Sequence, residues 1–553
     1  MNISMKNISS LEKIRSVDDL NVKEINSVKL FKGERYSYQI VILSEDIRFI
    51  KIDVESEISE YVTAYIVKDS VMDMAKYNDT LDTNYITSES GVMPDILVPL
   101  EKQKKMARLH NGFVTVWVNV CLPEDIKPGK YHISCKTEAV DAKNSKSSHE
   151  VFEESKDMYI TVENEVVPPQ STLFTQWLYA DCIAIVHKVE IFSESHWELI
   201  DKYIKMASES GINLILTPVI TPPLDTAYGT HRPCVQLTSI EYDGGKYKFD
   251  FSRLGRWISI CKKHGISHFE ICQLFSQWEI EYSPNILVKE NGKEHFKFGW
   301  HVKAQDENYK EFLEAFIPAL IDYLKSEGVF ENCYFHISDE PGNEHIENYT
   351  YAHNLLKSLI CDAKTMDALS NIDFCKAGLV DCPVCSIDHI KPFIEENVKN
   401  LWGYYCCSQN EKVSNRYLSM PMWRNRIIGL QIYKFNLQGF LHWGYNFYFS
   451  QFSMYEINPY VTSSADGGFP SGDAFSVYPG VNGPLSSTRA VVFREALQDV
   501  ELCRMLEAKI GREKAIEFIE NEAGMEITFE DYPLDSEFIP ELMAKIKDIV
   551  AEN

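Results

Sequence analysis

The chain has 553 residues, 45% hydrophobic and 12% aromatic, and a formal net charge of −26. That length exceeds one ordinary core and that composition is globular, so two or more domains are expected. The acidic balance repels phosphate backbones and anionic lipid, which argues against nucleic acid and membrane as partners.

Residues 1–17 hold no apolar core of signal-peptide length, and no apolar run of about 18 residues occurs in the sequence. The expected location is cytoplasmic. The 14 cysteines are scattered, several inside apolar runs (Cys121, Cys182, Cys272, Cys333), which predicts reduced, buried thiols. Cys382 and Cys385 have CxxC spacing, but no second CxxC or HxxxH accompanies them, so they read as structural, as do Cys406 and Cys407. No metal and no other cofactor is expected.

Residues 1–167 read as an all-β sandwich. Strand patterns lie at 36–43, 114–121, 130–135 and 158–162, with a turn at 122–129 and a polar loop at 141–149. The Pro-rich segment 166–172 is the expected linker. From 168 the texture changes to strands alternating with helices, predicted to form a (β/α)8 barrel over 168–510. Strands are expected at 173–179, 212–218, 268–274, 333–338, 365–369, 377–381, 400–405 and 439–444. The helix after the first carries Trp197, Ile200, Tyr203, Ile204 and Ala207 at spacings of three and four. Further helices are expected at 251–264, 309–327, 345–359 and 422–435. Long excursions at 221–251, with a hairpin around Asp243-Gly244-Gly245, and at 275–307 fit loops on an active-site face. Helices at 489–510, 512–522 and 538–550 finish the chain, and 511–553 is a helical extension.

One stretch carries chemistry. Residues 333–338 are a mostly apolar run that ends in Asp339-Glu340-Pro341. Adjacent carboxylates at the C-terminal end of a barrel strand suit acid/base work on a glycosidic bond. A second reading of the same residues is a helix start, with Ser338 or Asp339 as cap and Pro341 in the first turn. From this stretch alone both stay open.

Several stretches, in order, resemble glycoside hydrolase family 123, the β-N-acetylgalactosaminidase-like catalytic domain. They are 175–182, 273–278, 298–300, 336–341, 401–407, 415–416, 439–446 and 472–480. The resemblance implies an N-terminal β-sandwich, a catalytic barrel and no cofactor. It further implies retaining hydrolysis of a terminal β-linked N-acetylhexosamine, N-acetylgalactosamine first, from an oligosaccharide or glycoconjugate. The nucleophile would be the substrate's own 2-acetamido oxygen, acting through an oxazolinium intermediate. Asp339 would then orient the acetamido group and Glu340 would be general acid and base. Adjacency fits this division: neighbours on a strand point in opposite directions, which poorly suits two carboxylates flanking one bond. Glu340 should titrate high, raised by apolar walls and the Asp339 charge.

Trp177, Tyr404 and Trp443 are candidate sugar-stacking faces. Asp181, Gln273, Arg416 and Asn446 are candidate hydroxyl partners. Asp473 and Tyr478 lie on a loop expected to close the pocket, and His336, which alternates with Glu340, reads either as orienting it or as a satisfied core histidine. Gly403-Tyr404-Tyr405 departs from a more usual hydrophobic-Tyr-Thr order, so either tyrosine can meet the sugar. The segment 489–495 reads as a helix held by ion pairs. The competing functions are a non-catalytic carbohydrate-binding protein on the same scaffold, a glycosidase of different sugar specificity, and a barrel with an unrelated hydrolase activity.

Overall fold

A computed structural model describes residues 3–140, 153–360 and 362–552. The loop expected at 141–149 lies outside the described residues. Two five-stranded sheets form the N-terminal sandwich. One runs in the order Ser4–Ser9, Arg35–Leu43, Phe113–Cys121, Val62–Met72, Gly91–Pro99; the other Ser27–Lys32, Glu153–Val166, Gly129–Ala139, Phe49–Ser56, Met106–Arg108. The period-two pattern of Phe113–Cys121 explains its place. Val114, Val116, Val118 and Val120 point into the sandwich core, whereas Trp117 points the other way into the barrel's core. The first sheet is therefore covered on both faces, by the second sheet and by the barrel.

Eight parallel strands build the barrel: β1 (Leu173–Gln176), β2 (Leu214–Thr217), β3 (His268–Ile271), β4 (Cys333–Phe335), β5 (Lys364–Ala368), β6 (Cys382–Ser386), β7 (Trp402–Tyr404) and β8 (Gly439–His442). Their order around the sheet is β1-β8-β7-β6-β5-β4-β3-β2. A side chain closes the seam. Asn213 Oδ1 accepts from the Phe174 N–H (2.8 Å), and the Asn213 N–H donates to Phe174 O (3.1 Å).

One strand sits elsewhere than expected. Residues 377–381 close the short helix Asp373–Lys376, with Gly378 at φ +69° and the Leu379 N–H returned to Phe374 O. The sixth strand is the CxxC segment itself. Cys382 and Cys385 are buried in it, and burial pushes the Cys382 thiol up to about 11. Cys121, expected inside, is exposed, at the end of its strand. The excursions after β2 and β3 join into one four-stranded sheet. Its second hairpin, Ile286–Glu290 with Lys293–Phe298, turns on Asn291-Gly292, both at positive φ.

The C-terminal helices are Thr488–Ile510, Arg512–Ala523 and Phe538–Ala551. The first binds the sandwich to the barrel. Arg489 and Asp95, both fully buried, form an ion pair at 2.9 Å, and Asp95 also accepts from Tyr478 Oη (2.7 Å) and Thr488 Oγ1 (3.0 Å). Arg426 pairs with Glu495 and Asp499 at 2.8 Å each. From the sandwich, Asp73 collects the Ser463 N–H (3.0 Å), Ser464 Oγ (2.6 Å) and Ser471 Oγ (3.1 Å) of a barrel loop, and Asp82 pairs with Arg424. No helix among the described residues is long and apolar enough to cross a membrane.

Candidate active site

β4 ends at Phe335, and the chain then runs irregularly to a short 3-10 turn at Asn343–His345. The helix Ile346–Leu359 begins beyond that turn, with His345 at its N-cap. Asp339 and Glu340 therefore cap nothing, which removes the helix-start reading. Past the strand, the opposite-direction rule no longer applies. Glu340 adopts φ +46°, a conformation that a non-glycine residue keeps only when its surroundings hold it there. Its N–H is fixed to Ala368 O at 3.0 Å. This reversal brings both carboxyls to one cavity.

That cavity opens at the C-terminal ends of the strands, and its interior and open mouth together span an empty volume of ≈ 590 Å³. Trp177, Asp339, Glu340, Tyr404 and Trp443 line it together with Tyr179, Asp225, Gln277, Trp278 and Phe469. Asp339 is buried and Glu340 half-buried. Gln277 Nε2 donates to Asp339 Oδ2 (2.7 Å) and Tyr404 Oη to Glu340 Oε1 (2.6 Å). Burial, then the Glu340 charge, pushes Asp339 well above the ordinary carboxyl range. Burial also raises Glu340, against hydrogen bonds from Tyr404 and Trp278 that favour its charged form. Two carboxyls so placed titrate as a pair that resists double ionisation.

Beneath the pair lies a second charged cluster that solvent does not reach. His336 places Nδ1 2.9 Å from Asp367 Oδ1 and Nε2 2.7 Å from Glu270 Oε1, and all three residues are fully buried. Burial opposes its charge, but the bonds to Asp367 and Glu270 outweigh that and push the imidazole up to about 10. Glu270 also accepts from Thr175 Oγ1 (2.7 Å) and Trp177 Nε1 (2.6 Å), and Asp367 from Tyr349 Oη (2.6 Å). His336 thus sits under the cavity floor as a cation held between Asp367 and Glu270, and does not face the cavity.

The other expected sugar partners divide. Trp443 meets Phe447 and Phe469 edge to face and donates Nε1 to Asp473 Oδ2 (2.9 Å). Asp473 itself is buried behind it, raised to about 7 by desolvation. Asp181 is buried against Arg232 (3.1 Å). Asn446 bonds the Tyr179 backbone, Arg416 the backbone of Gly444 and Asp473, and Tyr478 bonds Asp95. Gln273 is buried outside the cavity lining with no partner among the described residues. Of these, Trp443 lines the cavity and the others do not. Tyr404 lines the cavity, while Tyr405 is buried against Phe440, His442 and Phe493.

Sequence reasoning missed Asp225, Gln277 and Trp278. Gln277 and Trp278 belong to a quoted motif, and the expected excursions held all three. The signal was there, but nothing in the pattern says which loop residue turns inward.

The model for the catalytic domain of glycoside hydrolase 123 matches residues 177–506. The structure is similar to that of a family 123 glycoside hydrolase from Clostridium perfringens, described for hydrolysis of glycolipid glycans, with 15% identity and a TM-score of 0.71 over 99% of this chain and 97% of that one. A PapD-like domain of human CEP192 aligns at 12% identity over 25% of this chain and 82% of its own, with a TM-score of only 0.14. No curated protein matches the chain. A family model spanning more than half the sequence, on a barrel whose strand ends present two carboxyls to one cavity, settles the assignment: the chain belongs to the glycoside hydrolase 123 family and is a glycoside hydrolase.

Proposed function

We propose that the protein releases a terminal β-linked N-acetylhexosamine, N-acetylgalactosamine first, from an oligosaccharide or glycoconjugate, with retention and with the substrate's acetamido oxygen as nucleophile. The observation that carries this reading is the reversal at Glu340, which turns two sequence neighbours into one cavity. Both carboxyls then face the same substrate. They are well placed to act on adjacent groups of one substrate. Glu340, steadied at Oε1 by Tyr404, protonates the leaving oxygen and later takes a proton from water. Asp339, steadied at Oδ2 by Gln277, accepts the acetamido N–H, and its negative charge then stabilises the oxazolinium ring. The shared proton of the pair supplies the acid form of Glu340 once the amide favours the charged form of Asp339. Trp443, half-buried in the cavity lining, offers a face to the ring.

Residues 168–510 form the catalytic unit in this reading, 1–167 a supporting sandwich and 511–553 a helical brace. The described cysteines are all unpaired, which supports a cytoplasmic setting. The Clostridium perfringens enzyme's described action on glycolipid glycans supports a glycoconjugate substrate.

The test compares aryl β-N-acetylhexosaminides with the same glycosides bearing a 2-hydroxyl. Intramolecular attack can reach an effective molarity of about 10⁵ M, so removing the acetamido group should slow turnover by orders of magnitude. A thiazoline mimic of the intermediate should inhibit strongly. Comparable rates on 2-hydroxy glycosides, or a covalent glycosyl adduct on Asp339, would sink the mechanism.

A further inference from the structure

The neighbours Cys406 and Cys407, read as structural from the sequence, lie in the wall of the catalytic cavity. β7 ends at Tyr404, so they stand beyond the strand, where adjacent side chains need not point apart. Both line the same cavity as Glu340. The CxxC pair is the contrast. Cys382 and Cys385 lie three residues apart inside one strand, and alternation sends them to opposite faces.

The backbone of the pair is held firmly. Cys406 O accepts from Asn415 Nδ2 and from Tyr417 Oη, each at 2.8 Å, and the same hydroxyl lies 3.0 Å from Cys407 O. The Cys406 N–H donates to Gln409 Oε1 at 2.9 Å. Neither thiol is in a disulfide. Cys406 Sγ lies 3.3 Å from Gln409 Oε1, an acceptor, so the sulphur donates its proton there. The bond to the Cys407 thiol, then burial, hold Cys406 well above the ordinary thiol range. Cys407 is half-buried and open to what enters the cavity.

These facts define a ligand. Protonated thiols are poor nucleophiles and poor partners for a metal ion, which binds thiolates. No group of three or more His, Cys, Asp or Glu among the described residues could hold a metal ion. A fitting ligand is thiophilic, takes two sulphurs from one side, needs no third protein donor and brings its own proton acceptors. Trivalent arsenic with two exchangeable hydroxyls meets all four conditions.

We propose that Cys406 and Cys407 form a dithiol site that captures trivalent arsenic oxyacids and so blocks the catalytic cavity. Two S–H and two As–O bonds break, two As–S and two O–H bonds form, and two waters leave. Arsenic stays trivalent and no electron is transferred. The bound atom stands two residues from Tyr404, whose hydroxyl holds Glu340, and takes space that a sugar needs. The block rests on the glycosidase reading above; the capture does not.

The experiment treats the full chain with sodium arsenite. Native mass spectrometry counts bound arsenic, and turnover of an aryl β-N-acetylhexosaminide is read alongside. Wild type should bind one arsenic and lose turnover, and dimercaptopropanol should restore it. Cys407→Ser leaves one sulphur and should weaken capture about a hundredfold, the order of losing a second attachment. Peptide mapping needs no variant: arsenite should protect Cys407 of wild type from iodoacetamide while the exposed Cys121 stays open. Wild type that binds no arsenic, an unprotected Cys407, or Cys407→Ser that binds as tightly overturns the site. Arsenic held at the pair with turnover intact overturns the block. Wild type that hydrolyses no N-acetylhexosaminide defeats the mechanism proposed above, and the arsenic count and the mapping then decide the capture alone.

Discussion

Tyr404→Phe removes one oxygen and tests how the acid is tuned. The hydroxyl donates to Glu340 Oε1 at 2.6 Å and favours the charged carboxylate. Burial and the Glu340 charge hold the phenol well above its ordinary value, so Tyr404 remains a donor across the working range. A hydrogen bond to a charged group contributes about 1.5–3 kcal/mol, and about 1.4 kcal/mol corresponds to one pKa unit. Because Glu340 is only half-buried, solvent replaces part of the lost bond, and a rise of about one unit is expected. The sign follows from the role. A general acid must be protonated, so a higher pKa carries the alkaline limb of kcat/KM upward by about one pH unit on substrates with poor leaving groups. Water activation, which needs the carboxylate, weakens at low pH. The assay is a pH profile of kcat/KM for wild type and Tyr404→Phe on one unactivated glycoside. An alkaline limb that stays in place or moves down would refute both the bond's direction and the acid role of Glu340.

Glu340→Gln should cost unactivated glycosides far more than aryl glycosides, whereas Asp339→Asn should impair both about equally; matching leaving-group profiles would reject the division of roles. His336 binds a proton at up to about 10 in the folded protein against 6.5 when unfolded. Its stabilising contribution is therefore complete below about pH 6.5 and lost as pH rises toward 10, so the thermal midpoint should fall across that window. His336→Gln removes the buried cation that bridges Asp367 and Glu270 and should cost about 3–5 kcal/mol in denaturant unfolding. A variant as stable as wild type would show that His336 is not a cation held by Asp367 and Glu270.

Periodicity carried most of the architecture. Alternation in Phe113–Cys121 and the three-four spacing of Trp197, Ile200 and Tyr203 mark elements that the structure contains. The sixth barrel strand was misplaced because Cys382–Ser386 is short and wholly buried, and such a run has no alternation to read. The Asn291-Gly292 hairpin was legible from turn chemistry alone but went unread. In the site, Asp339 and Glu340 stood out by chemistry. Their shared direction did not, since it depends on a left-handed residue that no pattern announces. Asp181, Arg416 and Asn446 have the chemistry of sugar partners and are used up on backbone and ion pairs behind the cavity. A sequence shows which residues can donate or accept, but not which partner reaches them first.

The buried pair of Asp95 with Arg489 has a consequence for how such a protein can be inherited. Arg489 starts the helix that leans on the barrel, and its counter-charge comes from a strand of the sandwich. Removing one member of a fully desolvated pair costs about 3–5 kcal/mol, a large share of any domain's stability. Asp73 and Asp82 repeat the arrangement on barrel loops and on Arg424. The two halves are thus locked like key and ward. A recombination event that exchanged the sandwich for an unrelated one would leave Arg489 and Arg424 without their acids, so the barrel keeps its stability only with a sandwich that supplies both.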